Sequence, residues 1–193
     1  MRKLILAMQV SVDGYIEAPD GDMTWMQTDN KEQWDDLFEM LGTVDLFLLG
    51  RKMFPDYRNY WRKCLTNPQG ASPSELAYAQ LAEKTKHVVF SNTMSDPEWE
   101  NTEIINGDVA AEITKIKMQA GKDIQVVGGA KLAATVVEAG LVDEYRLNIM
   151  PVILGSGKSF FRIQQTSHSL ELINTKRLSS GIIIVRYKSI RRH

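Results

Sequence analysis

The 193-residue sequence predicts an α/β fold, with a mostly parallel central sheet, helices on both faces and antiparallel strands at the carboxyl-terminal edge. Two observations predict it. Up to about residue 142, short apolar runs alternate with segments of helical periodicity, and this alternation requires crossover connections between parallel strands. After residue 142 the pattern contains strands only, which indicates antiparallel additions at one edge.

The elements of the first half follow from the spacing of apolar residues. Residues 3–10 form a first strand, and a helix with one apolar face then ends at Gly42. The run 46–49 is continuously apolar, as in a strand buried on both faces. We expect a long loop over 62–73, followed by a helix over 72–85 that opens with a Ser-Pro-Ser-Glu capping box.

The second half continues the alternation and then changes character. One helix opens at Asp108 and stops at Gly121, and another runs over 131–139 until Gly140. The last segments alternate as half-buried strands do, and a Ser-Ser-Gly turn joins the final two into a hairpin. The predicted strands of this half are 87–90, 103–105, 124–127, 145–150, 170–178 and 182–187.

Length and composition predict one domain over residues 1–193 and exclude several classes of protein. Lys and Arg number 23 against 24 Asp and Glu, a net charge of −1, so the basic excess that nucleic acid or anionic membranes attract is absent. The single Cys64 excludes an internal disulfide, and the three histidines lack the spacing of metal ligands. We therefore expect a cytoplasmic protein with a small-molecule substrate, without metal, nucleic-acid or membrane partners.

The residues that follow each strand carry the functional information, because ligands of open parallel sheets bind beyond the carboxyl ends of the strands. Gly128 and Gly129 lie between an apolar strand and a helix. Glycine permits close approach of a ligand, and a helix N-terminus offers free N–H groups to an anion. The same pair could also form a tight turn without a ligand.

Two further strand ends indicate the same class of ligand. Gly50-Arg51-Lys52 adds positive charge where a phosphate could lie, or else forms a solvated basic turn. Ser91 and Asn92 could donate to phosphate oxygens or cap the next segment. Together the three strand ends predict a phosphate-bearing ligand more strongly than any one of them alone.

The segment Gly-Ser-Gly-Lys-Ser at 155–159 is similar to part of a nucleoside-triphosphate P-loop. That motif requires a glycine at position 152, where Val152 stands, and a helix after it. We therefore interpret 155–159 as a glycine-rich loop near the ligand cleft.

The strand-end motifs, in their order and spacing, resemble the dihydrofolate reductase-like superfamily, and more closely the reductase domain of bacterial riboflavin biosynthesis. The resemblance covers about residues 2–188 and implies a three-layer dihydrofolate reductase-like fold. It rests on the segments SVDGYI at 11–16, LGRKMF at 49–54, VFSN at 89–92, VGGA at 127–130, and 140–157.

This resemblance implies an NADPH-dependent reductase. The Gly50 segment would hold the adenosine-side phosphates, with Ser91 and Asn92 near the 2′-phosphate. The segment 128–131 would line the pyrophosphate, and Ala7 with the loop after the first strand would border the nicotinamide. The implied cofactor-binding residues are Ala7, Gly14, Ile16, Gly50, Arg51, Lys52, Ser91, Asn92, Gly128, Gly129, Ala130 and Lys131.

One departure bears on the substrate. Dihydrofolate reductases carry a carboxylate four residues before a phenylalanine that corresponds here to Phe38, and this sequence has Trp34 there. Tryptophan cannot relay a proton to a pterin, which argues against folate reduction. The riboflavin-pathway reductases keep an aspartate that corresponds to Asp13, which we expect beside the nicotinamide and the substrate. Glu144 is the second catalytic candidate, or else an exposed carboxylate at a strand end.

The leading hypothesis is hydride transfer from NADPH to a small heterocycle, of the 5-amino-6-(5-phosphoribosylamino)uracil reductase type. The alternatives are a dihydrofolate or pteridine reductase and a non-catalytic NADP-binding protein. The resemblance also implies a homodimer through the strand-rich C-terminal edge. Its apolar face, which could instead pack on a helix, would be Leu147, Ile149, Ile183 and Val185.

Overall fold

A computed structural model describes residues 1–26, 29–161 and 167–190 of the protein. Short 3₁₀ turns stand at Pro19–Gly21 and Pro68–Gly70. The strands are β1 (Leu4–Ser11), β2 (Tyr15–Glu17), β3 (Val44–Gly50), β4 (Lys86–Phe90), β5 (Thr102–Ile105), β6 (Asp123–Gly128), β7 (Glu144–Met150), β8 (Lys158–Ser159), β9 (Leu170–Arg177) and β10 (Ile183–Ser189). The α-helices are α1 (Lys31–Leu41), α2 (Phe54–Thr66), α3 (Pro73–Lys84), α4 (Val109–Met118) and α5 (Ala130–Glu138).

The central sheet has eight strands in the order β5-β4-β3-β6-β1-β7-β10-β9, and β2 pairs separately with β8. Strands β1, β3, β4, β5, β6 and β7 run parallel. Strand β10 runs antiparallel to both of its neighbours, β7 and β9. This confirms the predicted α/β class, including the mostly parallel sheet and the antiparallel strands at its C-terminal edge.

Helices cover both faces of the sheet. On one face α1, α2 and α3 pack against the sheet, with Met40 and Phe54 buried next to Phe47 of β3. On the other face α4 and α5 bury Ile113 and Val136 against the sheet. Burial of each such side chain contributes about 1.5–3 kcal/mol to the free energy of unfolding. The two apolar layers therefore hold the strands in place and fix where their ends lie.

Helix α2 is the main difference from the sequence prediction. The expected loop at 62–73 is wrong in its first five residues, which continue α2, and its central turn is a 3₁₀ turn. The buried side of α2 is narrow: Phe54, Tyr57 and Cys64 are its buried residues. A narrow apolar stripe among polar residues gives a weak periodic signal, and β2 and β8 are too short to give any.

The predicted helix signals are confirmed in detail at α3. The backbone N–H of Glu75 donates to Ser72 Oγ at 3.3 Å, and the N–H of Ser72 donates to the Glu75 carboxylate at 2.7 Å, which is a complete capping box. Helix α4 begins after Asp108 as expected, but it ends at Met118, before the predicted stop at Gly121.

An aromatic cluster surrounds His87 near the amino end of β4. Its imidazole is fully buried and stacks on Trp99 with ring centroids 4.6 Å apart. Tyr57 Oη lies 3.3 Å from His87 Nε2 and 3.2 Å from Tyr78 Oη. Burial disfavours the charged imidazolium and lowers the pKa of His87 to about 4, so this histidine is neutral in the folded protein.

We expect the neutral His87 to make the free energy of unfolding depend on pH. The pKa of its side chain is 6.5 when unfolded and about 4 when folded, so between these values the unfolded chain binds more protons and stability falls as pH decreases. The expected loss between pH 7.5 and pH 5 is about 2 kcal/mol. Urea unfolding at both pH values measures it.

In the variant His87→Gln the side chain at this position cannot titrate. Its free energy of unfolding should fall by about 2 kcal/mol less than that of the wild type over the same pH interval. The same pH dependence in both proteins would contradict a buried neutral imidazole.

Candidate functional site

Strands β1 and β6 are neighbours over only part of their length. Residues Leu4–Leu6 of β1 pair with β6, whereas Ile5–Ser11 pair with β7. Beyond the paired part come Ala7 on β1 and Val127 on β6, both half-buried, and we call this place, where the two strands are no longer paired, the crevice. The chain leaves β1 toward α1 on one face and leaves β6 toward α5 on the other. Crevices with this topology are where open α/β sheets bind ligands.

The backbones of Gly50 and Gly129 meet beside this crevice, at the ends of β3 and β6. A Cβ atom on Gly129 would lie 2.9 Å from the Cα of Gly50, which is too close for any side chain. Gly129 also has a φ of +104°, a conformation that favours glycine. The tight turn allowed by the sequence is therefore present. We call this contact the Gly50/Gly129 junction.

Two helices begin at the junction without a side-chain cap. Helix α5 starts directly after Gly129 and α2 starts four residues after Gly50, and no side chain accepts from their first N–H groups within the described residues. In contrast, Asn30, Ser72 and Asp108 cap α1, α3 and α4. Uncapped N-termini present free N–H donors and the positive end of the helix dipole, which favour an anion.

Three cations surround these helix ends. Arg51 and Lys52 are exposed in the turn between β3 and α2, and Lys131 is exposed in the first turn of α5. In the part of the chain that the structure describes, none of the three forms an ion pair with a carboxylate. The junction therefore combines uncapped helix N-termini with three cations that form no ion pair among the described residues, while Asp56 is an acidic residue in the first turn of α2.

Ser91 and Asn92 follow β4 at the same edge, and their oxygen atoms serve the local backbone. Ser91 Oγ accepts from the N–H of Met94 at 2.9 Å, and Asn92 Oδ1 accepts from the N–H of Gly107 at 3.2 Å. The capping role considered for these side chains is therefore real, and only their donor groups remain for a ligand.

Asp13 connects the turn after β1 to the loop after β7. Its carboxylate accepts from Ser11 Oγ at 2.7 Å, from the N–H of Gly155 at 2.7 Å and from the N–H of Leu154 at 3.1 Å. The Ser11 hydroxyl, followed by these two N–H groups, lowers the pKa of Asp13 below its ordinary value. The carboxylate is therefore ionised and holds two loops together, while its catalytic role stays a prediction.

The turn continues into β2, which lies against the glycine-rich loop. The carbonyl of Gly14 accepts from the N–H of Phe160 at 2.9 Å, and Ile16 is buried in the core. A Cβ on Gly157 would lie 2.1 Å from the carbonyl oxygen of Glu17, so only glycine fits. Part of this loop forms β8 rather than a helix, which agrees with the exclusion of a P-loop.

Comparison with known proteins shows which family the chain belongs to. The RibD C-terminal domain family matches residues 2–184 of the chain. The protein belongs to the RibD C-terminal domain family. It is 36% identical over 188 residues to the uncharacterized protein YyaP of Bacillus subtilis (strain 168), covering 96% of this chain and 94% of YyaP.

Two solved structures show the same fold. One, from Shewanella sp. PV-4, has a provisional assignment to riboflavin biosynthesis; it aligns with a TM-score of 0.73 and 18% identity over 99% of this chain and all of that chain. The other is a dihydrofolate reductase from Enterococcus faecalis complexed with NADP(H), with a TM-score of 0.62 and 14% identity over 97% and 96% of the two chains. The dihydrofolate reductase-like fold is therefore confirmed.

In this RibD-type domain, Glu144 does not lie where the sequence prediction placed it. It stands at the amino end of β7, opposite Ile5, about 20 Å from the carboxyl end of the strand. It is buried rather than exposed, and its Oε1 accepts from Arg146 Nε at 2.6 Å. The correction has a simple cause: Glu144 begins its strand, whereas the candidate site lies where the parallel strands end.

Sequence reasoning missed three polar residues at the packing of α1 on the sheet. Gln9 is a polar residue within the mostly apolar β1, Arg146 belongs to the polar half of the alternating strand β7, and Gln33 is buried on α1. The polar residues in the two strands were a signal of this region, but the polar face of an alternating strand was interpreted as exposed to solvent.

Other parts of the described chain offer no competing site of the same kind. No group of three or more metal-ligating side chains occurs among the described residues. No helix described here is long and apolar enough to span a membrane. Two surface hollows of about 260 and 360 Å³ lie beside Lys86 and Gly140, at the amino edge of the sheet, away from the crevice.

We expect Gly129→Ala to lower the free energy of unfolding by about 2 kcal/mol, because the new Cβ would meet the backbone of Gly50 at a positive φ. Gly128→Ala is the matched control. There the Cβ would meet the flexible end of Met53, which can move, so the loss should stay below about 1 kcal/mol. Chemical denaturation measures both variants, and equal losses would show that the junction is not tightly packed.

Proposed function

We propose that this RibD-type domain is an NADPH-dependent reductase that transfers hydride to a small heterocyclic substrate. The observation that carries the proposal is the Gly50/Gly129 junction, where two uncapped helix N-termini and three cations stand beside the crevice between β1 and β6. A dinucleotide with several phosphates is the ligand class that this combination favours. The similar fold of a dihydrofolate reductase complexed with NADP(H) supports it.

The residues at this edge fit such a cofactor. The N–H groups that open α5 would bind the pyrophosphate, and those that open α2, with Arg51 and Lys52, would bind the adenosine-side phosphates. The donor groups of Ser91 and Asn92 would lie near the 2′-phosphate. Ala7 and the Gly14 turn would border the nicotinamide. The cofactor supplies the hydride, and the chain binds and orients it.

For the substrate we propose a 5-amino-6-(5-phosphoribosylamino)uracil or a close relative. Membership of the RibD C-terminal domain family supports this choice. The tryptophan in place of a carboxylate on α1 counts against folate: Trp34 stacks with Phe38 at 5.8 Å between ring centroids and has no acidic group.

The test measures oxidation of NADPH, by its absorbance, with this pyrimidine and separately with dihydrofolate. Turnover of the pyrimidine alone supports the proposal. Turnover of dihydrofolate would instead favour a folate or pteridine reductase. Tight binding of NADPH without turnover of either compound would favour a non-catalytic NADP-binding protein.

We expect the double variant Arg51→Met, Lys52→Met to bind NADPH about tenfold or more weakly, because two exposed cations at the junction are removed. Lys84→Met is the matched control, since Lys84 is exposed at the far end of α3, and it should leave the Kd unchanged. Calorimetry at low and high salt measures both. A double variant with the wild-type Kd and salt dependence would refute the placement of the phosphates.

We also propose a homodimer formed through the β9–β10 edge. Strand β9 ends the sheet, and its Leu172 is 53% exposed opposite Tyr187 of β10. The apolar face that the sequence predicted for the dimer is partly inside the protein, because Val185 is buried and the half-buried Leu147 packs against the core. An open edge strand with exposed apolar residues is a ready site for self-association.

We expect light scattering to give twice the 21.9 kDa chain mass for the wild type and the chain mass for Leu172→Lys. The control Met118→Lys, at a residue that is 75% exposed on α4, should stay dimeric. A monomeric wild type would rule out the dimer.

A further inference from the structure

Three buried polar atoms under α1 have no hydrogen-bond partner within the described chain. They are Oε1 of Gln9, Oε1 of Gln33 and Nη1 of Arg146. Leaving a buried polar group unpaired costs about 1–3 kcal/mol, so native proteins rarely do so without a reason. Two acceptors and one donor left open in one region indicate a site for a polar ligand.

The register of the sheet places two of these residues side by side. Arg146 on β7 lies opposite Ala7 on β1, and Gln9 lies opposite Asn148. Side chains alternate along a strand, so Gln9 and Arg146 share the face of Ala7, with their Cα atoms within about 8 Å of each other. Arg186 on β10 continues the row of Arg146 on the same face.

Contacts of α1 place Gln33 on the same face of the sheet as this pair. One turn of the helix is fixed to the β9–β10 hairpin, where the Glu32 carboxylate accepts from Ser179 N–H at 2.7 Å. The next turn is fixed to β10, where Asp36 accepts from Arg186. Gln33 lies between these anchors, on the same helix face as Asp36, and is only 9% exposed. Its side chain is therefore enclosed between α1 and the sheet.

The charges in this region are balanced. Glu144 Oε1 accepts a hydrogen bond from Arg146 Nε at 2.6 Å, and Asp36 forms an ion pair with Arg186. With both guanidinium groups neutralised, these side chains do not favour an anion. The free Nη1 of Arg146 instead suits a neutral carbonyl oxygen, and the amide oxygens of the two glutamines suit N–H donors.

We infer that Arg146 recognises a carbonyl oxygen of the substrate, while Gln9 and Gln33 accept hydrogen bonds from neighbouring N–H groups of the same ring. Glu144 is a positioning residue that orients the Arg146 guanidinium. Arg146 lies opposite Ala7 in the register of the sheet, so a ring bound to these three side chains would lie next to the nicotinamide. The inference rests on the proposed reductase function and names specificity residues for it.

The test compares two flat rings of the same size on protein saturated with NADP⁺. The first, 5,6-diaminouracil, presents ring carbonyl oxygens, and the second, 2,4,5,6-tetraaminopyrimidine, presents amino groups instead. Calorimetry should show that the wild type binds the uracil about tenfold or more tightly than the tetraamine. Arg146→Met should lose this preference by losing affinity for the uracil.

The variants separate recognition from structure. Glu144→Gln should weaken uracil binding severalfold and leave tetraamine binding unchanged, because only the orientation of Arg146 is lost. Arg146→Lys keeps a positive charge without the guanidinium fork. It replaces Arg146→Met in the binding comparison if the methionine variant does not fold. The matched control is Arg177→Met, at an exposed position of β9, which should keep the wild-type preference.

Failure of this inference is distinguishable from failure of the proposed function. Binding of NADP⁺ is measured separately and should be unchanged in Arg146→Met. If the wild type does not bind NADP⁺, the cofactor proposal fails, and the two rings measured on the protein alone still test the pocket. A wild type without preference between the rings, or a folded Arg146 variant that keeps the preference, overturns the inference.

Discussion

The carboxyl edge of this protein depends on the contact between the backbones of Gly50 and Gly129. A side chain on Gly129 would collide with the backbone of Gly50, so the loops after β3 and β6 can meet only because both residues lack a Cβ. Their meeting brings the turns that lead into α2 and α5 to the same edge of the sheet, and neither helix has a side-chain cap. One packing contact, between two residues that lie far apart in the sequence, thus concentrates positive charge at the carboxyl edge of the sheet.

A second constraint acts on the sheet itself. β1 leaves its pairing with β6 after three residues but stays paired with β7, so the sheet opens on one side of β1 only. The two sides of the opening are built differently. On the β6 side, backbone donors and exposed cations suit phosphates. On the β7 side, beneath α1, buried side chains such as Arg146 and Gln9 suit a neutral ring, and Asp36 on Arg186 holds the helix over them.

Most of the elements could be predicted because their signals are local. Apolar runs marked β3, β4 and β6, and the capping box at Ser72 marked the start of α3. Helix α2 was missed because its buried stripe is narrow among polar residues. Glu144 was misplaced because adjacency to a strand does not by itself tell which edge of the sheet a residue reaches. Arg146 was overlooked because alternation shows that a strand has a polar face without showing what covers that face.

The sequence by itself determined the class of fold and predicted a phosphate-bearing ligand at the carboxyl edge of the sheet, because periodicity, glycine positions and strand-end charges act over a few residues. It also determined the family, through the order and spacing of those motifs. Only the tertiary structure decided which helix ends stay uncapped, where β1 and β6 part, and that polar atoms of Gln9, Gln33 and Arg146 are buried without a partner. These features depend on contacts between residues distant in the chain, and burial, which makes an unpaired polar atom costly, exists only once the chain is folded.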